Sequence, residues 1–205
     1  MNTNKKAIEF YSTQSISKED TESVLAVLLS DFLTRGPTIE KFERKIGNFC
    51  KNKHVIAVNS ATSALQLAYQ INGIKEGSRV WTTPITFVAT VNTALLFRAE
   101  IDFVDIDPNT LNICPTKLKE KLKVAKQDSS LPDFLTIVHF GGSPCDMEPI
   151  YNLSKKYDFK IIEDASHALG ASYNGKRIGE NNFSCASVFS FHPVKMITTG
   201  EGGAI

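Results

Sequence analysis

Apolar and polar residues along this chain follow two patterns, one typical of β-strands and one typical of α-helices. The two patterns alternate between residues 55 and 191. Short apolar runs typical of buried β-strands lie at 55–58, 79–83, 101–106, 134–140, 159–164 and 187–191. Segments with apolar residues at helical spacing separate most of them, at 59–72, 86–98, 115–127 and 147–157. This alternation predicts an α/β fold, a mainly parallel and doubly wound sheet with helices on both faces.

Two more helices are predicted before the first strand. From Ser17 the chain has a capping residue, acidic residues in the first turn and apolar residues at helical spacing, and we expect this helix to end at Gly36-Pro37. A second helix follows over 39–52. No repeat or linker divides the chain, so we expect one unit over 1–205, with helices in 1–50 and the sheet in 51–205.

The composition of the chain argues against several kinds of binding partner. With 23 Lys and Arg against 22 Asp and Glu, the chain has no excess charge that would favour nucleic acid or an anionic membrane. The four cysteines are far apart and form no C-x-x-C pair, which favours reduced thiols over a zinc site or other metal site. No apolar run is long enough to span a bilayer. We therefore expect a soluble, cytoplasmic protein.

Residues that follow the predicted strands are the first candidates for a site, because ligands of such sheets bind beyond the carboxyl ends of the strands. Small hydroxyl residues, an aromatic residue, an acid, a histidine and a lysine converge there. The segments concerned are 59–63, 83–87, 139–142, 164–167 and 190–195.

The segment "NSATSAL" at 59–65 suits a phosphate group. Free backbone N–H groups and the positive end of a helix dipole would point at the ligand, and the hydroxyl groups of Thr62 and Ser63 could add donors. The same residues would also make an ordinary helix N-cap. Because the chain has no complete Walker motif, G-x-x-x-x-G-K-[ST], and no G-x-G-x-x-G, a nucleoside triphosphate or a dinucleotide is not favoured.

An acid and a lysine on neighbouring strand ends complete a candidate cofactor site. Asp164 ends a buried strand, where an unpaired carboxylate would be costly, and Lys195 follows the strand 187–191 and the extended pair His192-Pro193. Taken singly, Asp164 could be a cap or a salt-bridge partner, and Lys195 a solvated lysine. Together with a phosphate cradle they are the parts that a pyridoxal 5′-phosphate (PLP) enzyme needs, and Phe87 could stack on the cofactor ring.

Five segments in order resemble one known family. "NSATSALQLA", "TTPITFVAT", "VDIDPNTLN", "EDASHALGASYNGKRIG" and "VFSFHPVKMITTGEGG" are similar to the successive blocks of the DegT and StrS type of sugar-nucleotide aminotransferases, a branch of the fold-type I PLP enzymes. The resemblance implies the aspartate-aminotransferase-like large domain, with a seven-stranded mixed sheet. It also implies a homodimer whose active sites form at the subunit interface.

The resemblance also assigns roles to residues. Lys195 would bond covalently to the cofactor and move protons, and Asp164 would pair with the pyridine nitrogen. The phosphate would be held by Thr62, Ser63 and Ser190, with Phe87 on the ring face and His167 near the 3-hydroxyl group. A lysine at position 195, where dehydratases of the family have histidine, implies transamination.

Within the family, the segments "FYSTQSISKED" and "SDFLTRGP" are most similar to the branch that aminates C4 of a UDP-linked 4-keto-6-deoxy-N-acetyl hexose with L-glutamate in pseudaminic acid biosynthesis. Related branches make perosamine, bacillosamine or viosamine precursors. The resemblance then implies a sugar-nucleotide site lined by Tyr11, Asp31, Phe32, Leu33, Thr34 and Ala61.

Members of the family are roughly twice as long as this chain, so we expect the N-terminal part of a PLP-binding large domain without the small domain. "TTGEGGAI" predicts a turn into a strand that has barely begun, which would leave an unfilled position in the sheet. Two alternatives remain open. One is a truncated, noncatalytic PLP-fold binding protein, and the other is a doubly wound reductase, against which the absent glycine fingerprint counts.

Overall fold

Seven strands form one mixed sheet in the order β1-β9-β8-β5-β4-β2-β3. The computed structural model describes residues 12–205. The strands are β1 (Ala57–Val58), β2 (Arg79–Thr82), β3 (Glu100–Phe103), β4 (Phe134–Val138), β5 (Lys160–Asp164), β8 (Ala186–Ser190) and β9 (Gly203–Ala204), while β6 (Ser172–Tyr173) and β7 (Lys176–Arg177) form a separate hairpin. Neighbours from β8 to β3 are parallel, and β9 is antiparallel to both β8 and β1. The prediction of a mainly parallel α/β sheet is confirmed.

Six helices accompany the strands in the described part of the chain. They are α1 (Lys18–Leu28), α2 (Pro37–Cys50), α3 (Ala61–Ile71), α4 (Ala89–Leu95), α5 (Pro115–Gln127) and α6 (Met147–Tyr157). A short 3-10 turn, Phe140–Gly142, follows β4. All but the first two helices lie between strands, as the pattern predicts. The division at residue 50 into an N-terminal part and a sheet part stays a prediction.

Apolar side chains cover both faces of the sheet, because successive residues of a strand point to opposite sides. On β5, Ile161 packs in a cluster with Leu118 and Met147 of α5 and α6. The next residue, Ile162, packs in the other cluster, with Leu65 of α3. The sheet is therefore wound on both faces, and the same alternation carries Asp164 to the side of α3 and α4.

The first helix is shorter than predicted. Ser17 does cap it through a capping box with Asp20, but α1 ends at Leu28 rather than at Gly36-Pro37. Beyond Leu29 the Ser30 hydroxyl group donates to the backbone oxygen atoms of Val27 and Phe32, which turns the chain out of the helix. Since α1 buries no residue in this structure, no packed face extends it.

The strand at the end of "TTGEGGAI" corrects the expectation of an unfilled position. Gly203 and Ala204 form β9, which lies between β1 and β8 and pairs with both. Two backbone hydrogen bonds between Ile56 and Ile205 extend the pairing. The seven-stranded sheet is thus continuous within the described residues.

Candidate active site

One large cavity opens at the carboxyl ends of the central strands. Its volume is about 640 Å³, which lies in the range of small-molecule sites. Each of the five segments predicted to converge contributes to its lining: 60–62, 85–87, 139–141, 164–167 and 190–195. The predicted convergence of these segments is present in the structure, and their role as a functional site stays a prediction.

Asp164 lies on the floor of this cavity and is almost fully buried, with 4% of its surface exposed. Its Oδ2 accepts a hydrogen bond from the Thr90 hydroxyl group at 2.9 Å. Its Oδ1 accepts from the Ser166 backbone N–H at 3.2 Å and from the Ser166 hydroxyl group at 2.6 Å. Both carboxylate oxygen atoms therefore accept hydrogen bonds from the protein, which hold the side chain in one position.

Lys195 approaches the same space from the loop after β8 and is half-buried. The backbone N–H of Lys195 donates to the His192 oxygen at 2.9 Å, which closes a tight turn over Pro193. Its Nζ donates to Nε2 of His167 at 2.6 Å. Burial lowers the pKa of Lys195, and the negative charge of Asp164 acts in the opposite direction.

His167 has an environment that favours its neutral form. Burial lowers the pKa of the imidazole, the positive charge of Lys195 lowers it further, and Asp164 partly offsets both. A neutral Nε2 can accept the hydrogen bond from Lys195, so Nδ1 carries the ring proton. The close packing of Gly142 fixes the backbone of His167, because a Cβ at Gly142 would lie 2.5 Å from the His167 oxygen.

The start of α3 forms one wall of the cavity. Ser60 caps the helix, since its side chain accepts from the Ser63 N–H, and Ala61 and Thr62 line the cavity. The first N–H groups of a helix have no acceptor within it and are free to bind an anion. Ser190, at the end of β8, lines the facing wall.

The ring of Phe87 lies at the mouth of the cavity with 72% of its surface exposed. It belongs to the loop 83–88 between β2 and α4. Packing a planar ligand ring against this exposed side chain would bury apolar surface and would therefore be favourable. Phe87 is therefore available to stack on a bound ring.

The residues present fit PLP on four counts. The cavity is large enough, a helix start with hydroxyl groups suits the phosphate, a buried carboxylate suits a protonated pyridine nitrogen, and a lysine with a lowered pKa suits covalent attachment. Each group belongs to a different element of the sheet edge, as the sequence pattern predicts. The individual roles stay predictions.

Some predicted site residues do not join this cavity. The hydroxyl group of Ser63 donates to Oδ1 of Asn59 at 2.6 Å, and Ser63 is not among the lining residues. Asp31, Phe32, Leu33 and Thr34 are exposed and lie outside the lining, so their role in substrate binding stays a prediction. Ala61 does line the cavity, and Tyr11 lies outside the described residues.

Other polar residues at the site had no predicted role. Thr86, His192 and Glu201 line the cavity, and the buried hydroxyl group of Thr90 contacts Asp164. One sequence signal could have indicated Thr86 and Thr90. They are the two threonines of "TFVAT", four residues apart, a spacing that places two side chains on the same side of a helical turn.

A buried histidine supports the cavity floor. The Cys145 N–H donates to Nδ1 of His139 at 3.0 Å, so the ring proton is on Nε2, which donates to Glu163 at 2.8 Å. Glu163 also accepts from the Ser184 hydroxyl group. Both side chains are buried. Glu163 directly precedes Asp164, and the His139 backbone N–H donates to the Asp164 oxygen at 3.2 Å, so this pair fixes the backbone that carries the carboxylate.

Within residues 12–205, no three His, Cys, Asp or Glu side chains are grouped as a metal site. In the same range, no helix is long and apolar enough to cross a membrane.

Comparison with known proteins agrees with this geometry. The model of the DegT/DnrJ/EryC1/StrS aminotransferase family matches residues 14–205. The chain is 45% identical over 195 residues to the UDP-4-amino-4,6-dideoxy-N-acetyl-beta-L-altrosamine transaminase of Campylobacter jejuni subsp. jejuni serotype O:23/36 (strain 81-176), and the match covers 95% of this chain and 50% of that protein. The chain thus spans about half the length of the curated relatives that it matches.

Solved structures give the same result. Helicobacter pylori PseC, an aminotransferase involved in the biosynthesis of pseudoaminic acid, matches with a TM-score of 0.86 at 38% identity over 95% of this chain and 51% of that one. The PLP form of Streptococcus pneumoniae Spr1654 matches with a TM-score of 0.85 at 26% identity, over 96% and 52% of the two chains. The aminotransferase fold expected from the sequence is confirmed.

Proposed function

The chain belongs to the DegT/DnrJ/EryC1/StrS aminotransferase family, and we propose that the protein is an aminotransferase that acts on a nucleotide-linked keto sugar. The observation that carries the proposal is the convergence of Asp164, Lys195 and the start of α3 on one cavity. PLP is the cofactor of this family, and a structural relative has been solved in its PLP form.

The side chains divide the work of amino transfer. PLP, when bound, supplies an electron sink for the carbon that gains or loses the amino group. Asp164 pairs with the pyridine nitrogen and holds a proton there, because three donated hydrogen bonds fix its carboxylate on the cavity floor. The neutral Nζ of Lys195 takes a proton from the reacting carbon and returns it later, and His167 orients this amine through its 2.6 Å hydrogen bond.

The start of α3 and Ser190 bind the phosphate group, and Phe87 covers one face of the ring. These contacts use backbone N–H groups, hydroxyl groups and an exposed aromatic side chain on three different elements. Ser63 supports the helix start through Asn59. Fixing the phosphate, the pyridine nitrogen and the ring face leaves the cofactor a single orientation toward Lys195.

The substrate is a UDP-linked 4-keto-6-deoxy-N-acetyl hexose, and L-glutamate is the amino donor. Support comes from the Campylobacter transaminase, at 45% identity, and from Helicobacter PseC, at 38%. Ala61 lines the cavity, which supports its proposed contact with the sugar. Tyr11 and the segment 31–34 complete the nucleotide-sugar site in this proposal.

The protein works in the cytoplasm as a homodimer. An exposed row of apolar side chains on α1 and the turn after it supports the second point, because such a row is typical of an interaction surface. The row, named the α1 surface below, consists of Val24, Leu25, Leu28, Leu29, Phe32 and Leu33.

The test of the proposed function uses full-length protein reconstituted with PLP. Incubation with L-glutamate should yield 2-oxoglutarate, and the aminated protein should then convert the UDP-linked keto sugar faster than dTDP- or GDP-linked 4-keto-6-deoxy hexoses. Borohydride should fix PLP to Lys195, as located by peptide mass spectrometry. Lys195→Ala should abolish turnover, and Lys119→Ala, an exposed lysine of α5, should not.

Three outcomes would count against the proposal. Attachment of PLP to another lysine would remove the role of Lys195. PLP binding without a glutamate reaction would favour a noncatalytic protein of the same fold. Faster conversion of a dTDP- or GDP-linked sugar would move the substrate to another branch of the family.

A further inference from the structure

The hydroxyl group of Thr90 is the one side-chain contact that reaches Oδ2 of Asp164 among the described residues. Thr90 is fully buried at the start of α4, and its Oγ1 lies 2.9 Å from that oxygen. Its backbone is also held, since the Tyr69 hydroxyl group donates to the Thr90 oxygen at 3.3 Å. Ser166, two residues after Asp164, donates only to the other carboxylate oxygen, Oδ1.

The direction of each hydrogen bond follows from the chemistry of the acceptor. A carboxylate oxygen accepts from a hydroxyl group, so the single hydroxyl proton of Thr90 points at Oδ2 of Asp164. The Thr86 hydroxyl group, 2.8 Å from the Thr90 oxygen, must then be the donor in that contact. The result is a one-way chain of donors from Thr86 to Thr90 to Asp164.

These two hydrogen bonds connect two parts of the cavity. Thr86 directly precedes Phe87, and both belong to the loop between β2 and α4. Asp164 ends β5, on the other side of β4 from β2 in the sheet. A bond network of two hydroxyl groups therefore ties the loop with the exposed ring to the carboxylate on the cavity floor.

We propose that Thr90 is a positioning residue that fixes the orientation of the Asp164 carboxylate toward the cofactor, and that Thr86 holds Thr90 in its donating rotamer. This inference rests on the proposed function, because it gives the carboxylate the task of binding a pyridine nitrogen. With one donor on Oδ2 and two on Oδ1, the carboxylate plane cannot rotate without breaking a bond. Thr90 acts through Asp164 and does not itself line the cavity.

The first test measures PLP affinity by equilibrium dialysis of full-length protein. Thr90→Val keeps the shape of the side chain but removes the donor, and we expect about a tenfold loss of affinity, the size typical of a hydrogen bond to a charged group. Thr90→Ser keeps the hydroxyl group and should stay close to the parent. Thr86→Val should cause a smaller loss, about twofold, because it acts one bond further away.

Thr93→Val provides the matched control. Thr93 is also buried on α4, but its hydroxyl group donates to the Ala89 oxygen of its own helix and does not contact Asp164. It therefore reports the general cost of removing a buried hydroxyl group from this helix. A loss in Thr90→Val no larger than that in Thr93→Val would overturn the proposal.

A double-mutant cycle separates positioning from a purely structural role. In an Asp164→Asn background the charge that Thr90 orients is gone, so Thr90→Val should reduce PLP affinity by less than twofold. The same tenfold loss in both backgrounds would show that Thr90 does not act through Asp164, and would overturn the proposal.

A measurement without cofactor distinguishes failure of this proposal from failure of the proposed function. In cofactor-free protein, the carbon-13 resonance of the Asp164 carboxylate should shift in Thr90→Val and stay near its parent position in Thr90→Ser and Thr93→Val. An unchanged resonance in Thr90→Val would reject the positioning role even if PLP binds. A shifted resonance in a protein that binds no PLP would reject the proposed function and keep the Thr90–Asp164 link.

Discussion

At the scale of single residues, Lys195 is subject to two opposing influences. Burial disfavours its ammonium form and lowers the pKa, and the carboxylate of Asp164 favours that form and raises it. Burial is the larger influence, so the net shift is downward. A larger share of the amine is therefore neutral at a given pH than in an ordinary lysine, and only the neutral amine is a nucleophile.

The pH dependence of this amine can be measured without cofactor. Competitive acetylation followed by mass spectrometry should show Lys195 gaining reactivity at lower pH than an ordinary lysine, with exposed Lys119 as the internal reference. Asp164→Asn removes the influence that raises the pKa, so it should move the midpoint of Lys195 to still lower pH. A midpoint that moves upward in Asp164→Asn would contradict this balance of charges.

The sequence could predict those site residues that directly follow a predicted strand, because such a position fixes the edge of the sheet at which they lie. Asp164 and Lys195 each follow a strand, and parallel strands end at the same edge of the sheet, so their meeting could be predicted. The role of Thr90 could not, because a threonine inside a predicted helix reads as an ordinary helical residue. Its contact with Asp164 depends on how α4 packs on the sheet, and no local pattern encodes that packing.

At the scale of elements, β9 and the start of α3 are packed backbone to backbone. A Cβ on Gly203 would lie 2.5 Å from the Ser60 carbonyl carbon and 2.6 Å from the Ala61 nitrogen. Neither atom can move aside as a flexible side chain could. The strand therefore sets the position of the N–H groups that face the cavity.

Gly203→Ala should displace the start of α3 and weaken binding at its N–H groups. We expect the free energy of unfolding, measured in urea, to fall by about 1–3 kcal/mol, the usual cost of overpacking. PLP affinity should also fall. Gly200→Ala is the control, because nothing lies within 4 Å of its Cβ position and only its positive φ of 80° opposes the change. Equal PLP affinities in the two variants would contradict a role of β9 in shaping the site.

Strands and helices were predictable where a pattern extends over several residues. Five of the six apolar runs became strands of four or five residues, and four interstrand helices appear near their predicted ranges. The hairpin of β6 and β7 is only two residues a side, around Asn174-Gly175, and no pattern predicted it. Its strands pair only with each other, and two residues are too few to show an alternation of apolar and polar positions.

At the scale of the whole molecule, the α1 surface is a group of exposed apolar side chains within the described residues. Leu25, Leu28 and Leu29 are 51%, 58% and 78% exposed, and α1 contains no buried residue. Burying such side chains against a second copy would be favourable by about 25 cal/mol per Å² of apolar area. The packing of one chain alone gives α1 no comparable stabilisation.

If the proposed homodimer forms through the α1 surface, replacing Leu25 and Leu28 together with lysine should dissociate it, as measured by light scattering during size-exclusion chromatography. The fold of each chain should be unaffected, since neither residue is buried within it. Val124→Lys is the control, an apolar residue of α5 that is also 58% exposed. If both variants remain dimeric, the α1 surface is not the contact between subunits.

The place of β9 between β1 and β8 also imposes an order on folding during synthesis. Within the described residues β1 pairs with no strand other than β9, so it cannot join the sheet until residues 203–204 have left the ribosome. Chain closure over such a sequence distance is slow, and until then the early strand has unpaired edges. The parallel strands from β3 to β8 can assemble first, with α3 packed on β5 and β8, so the edge of the sheet that β1 forms should be the last part to join.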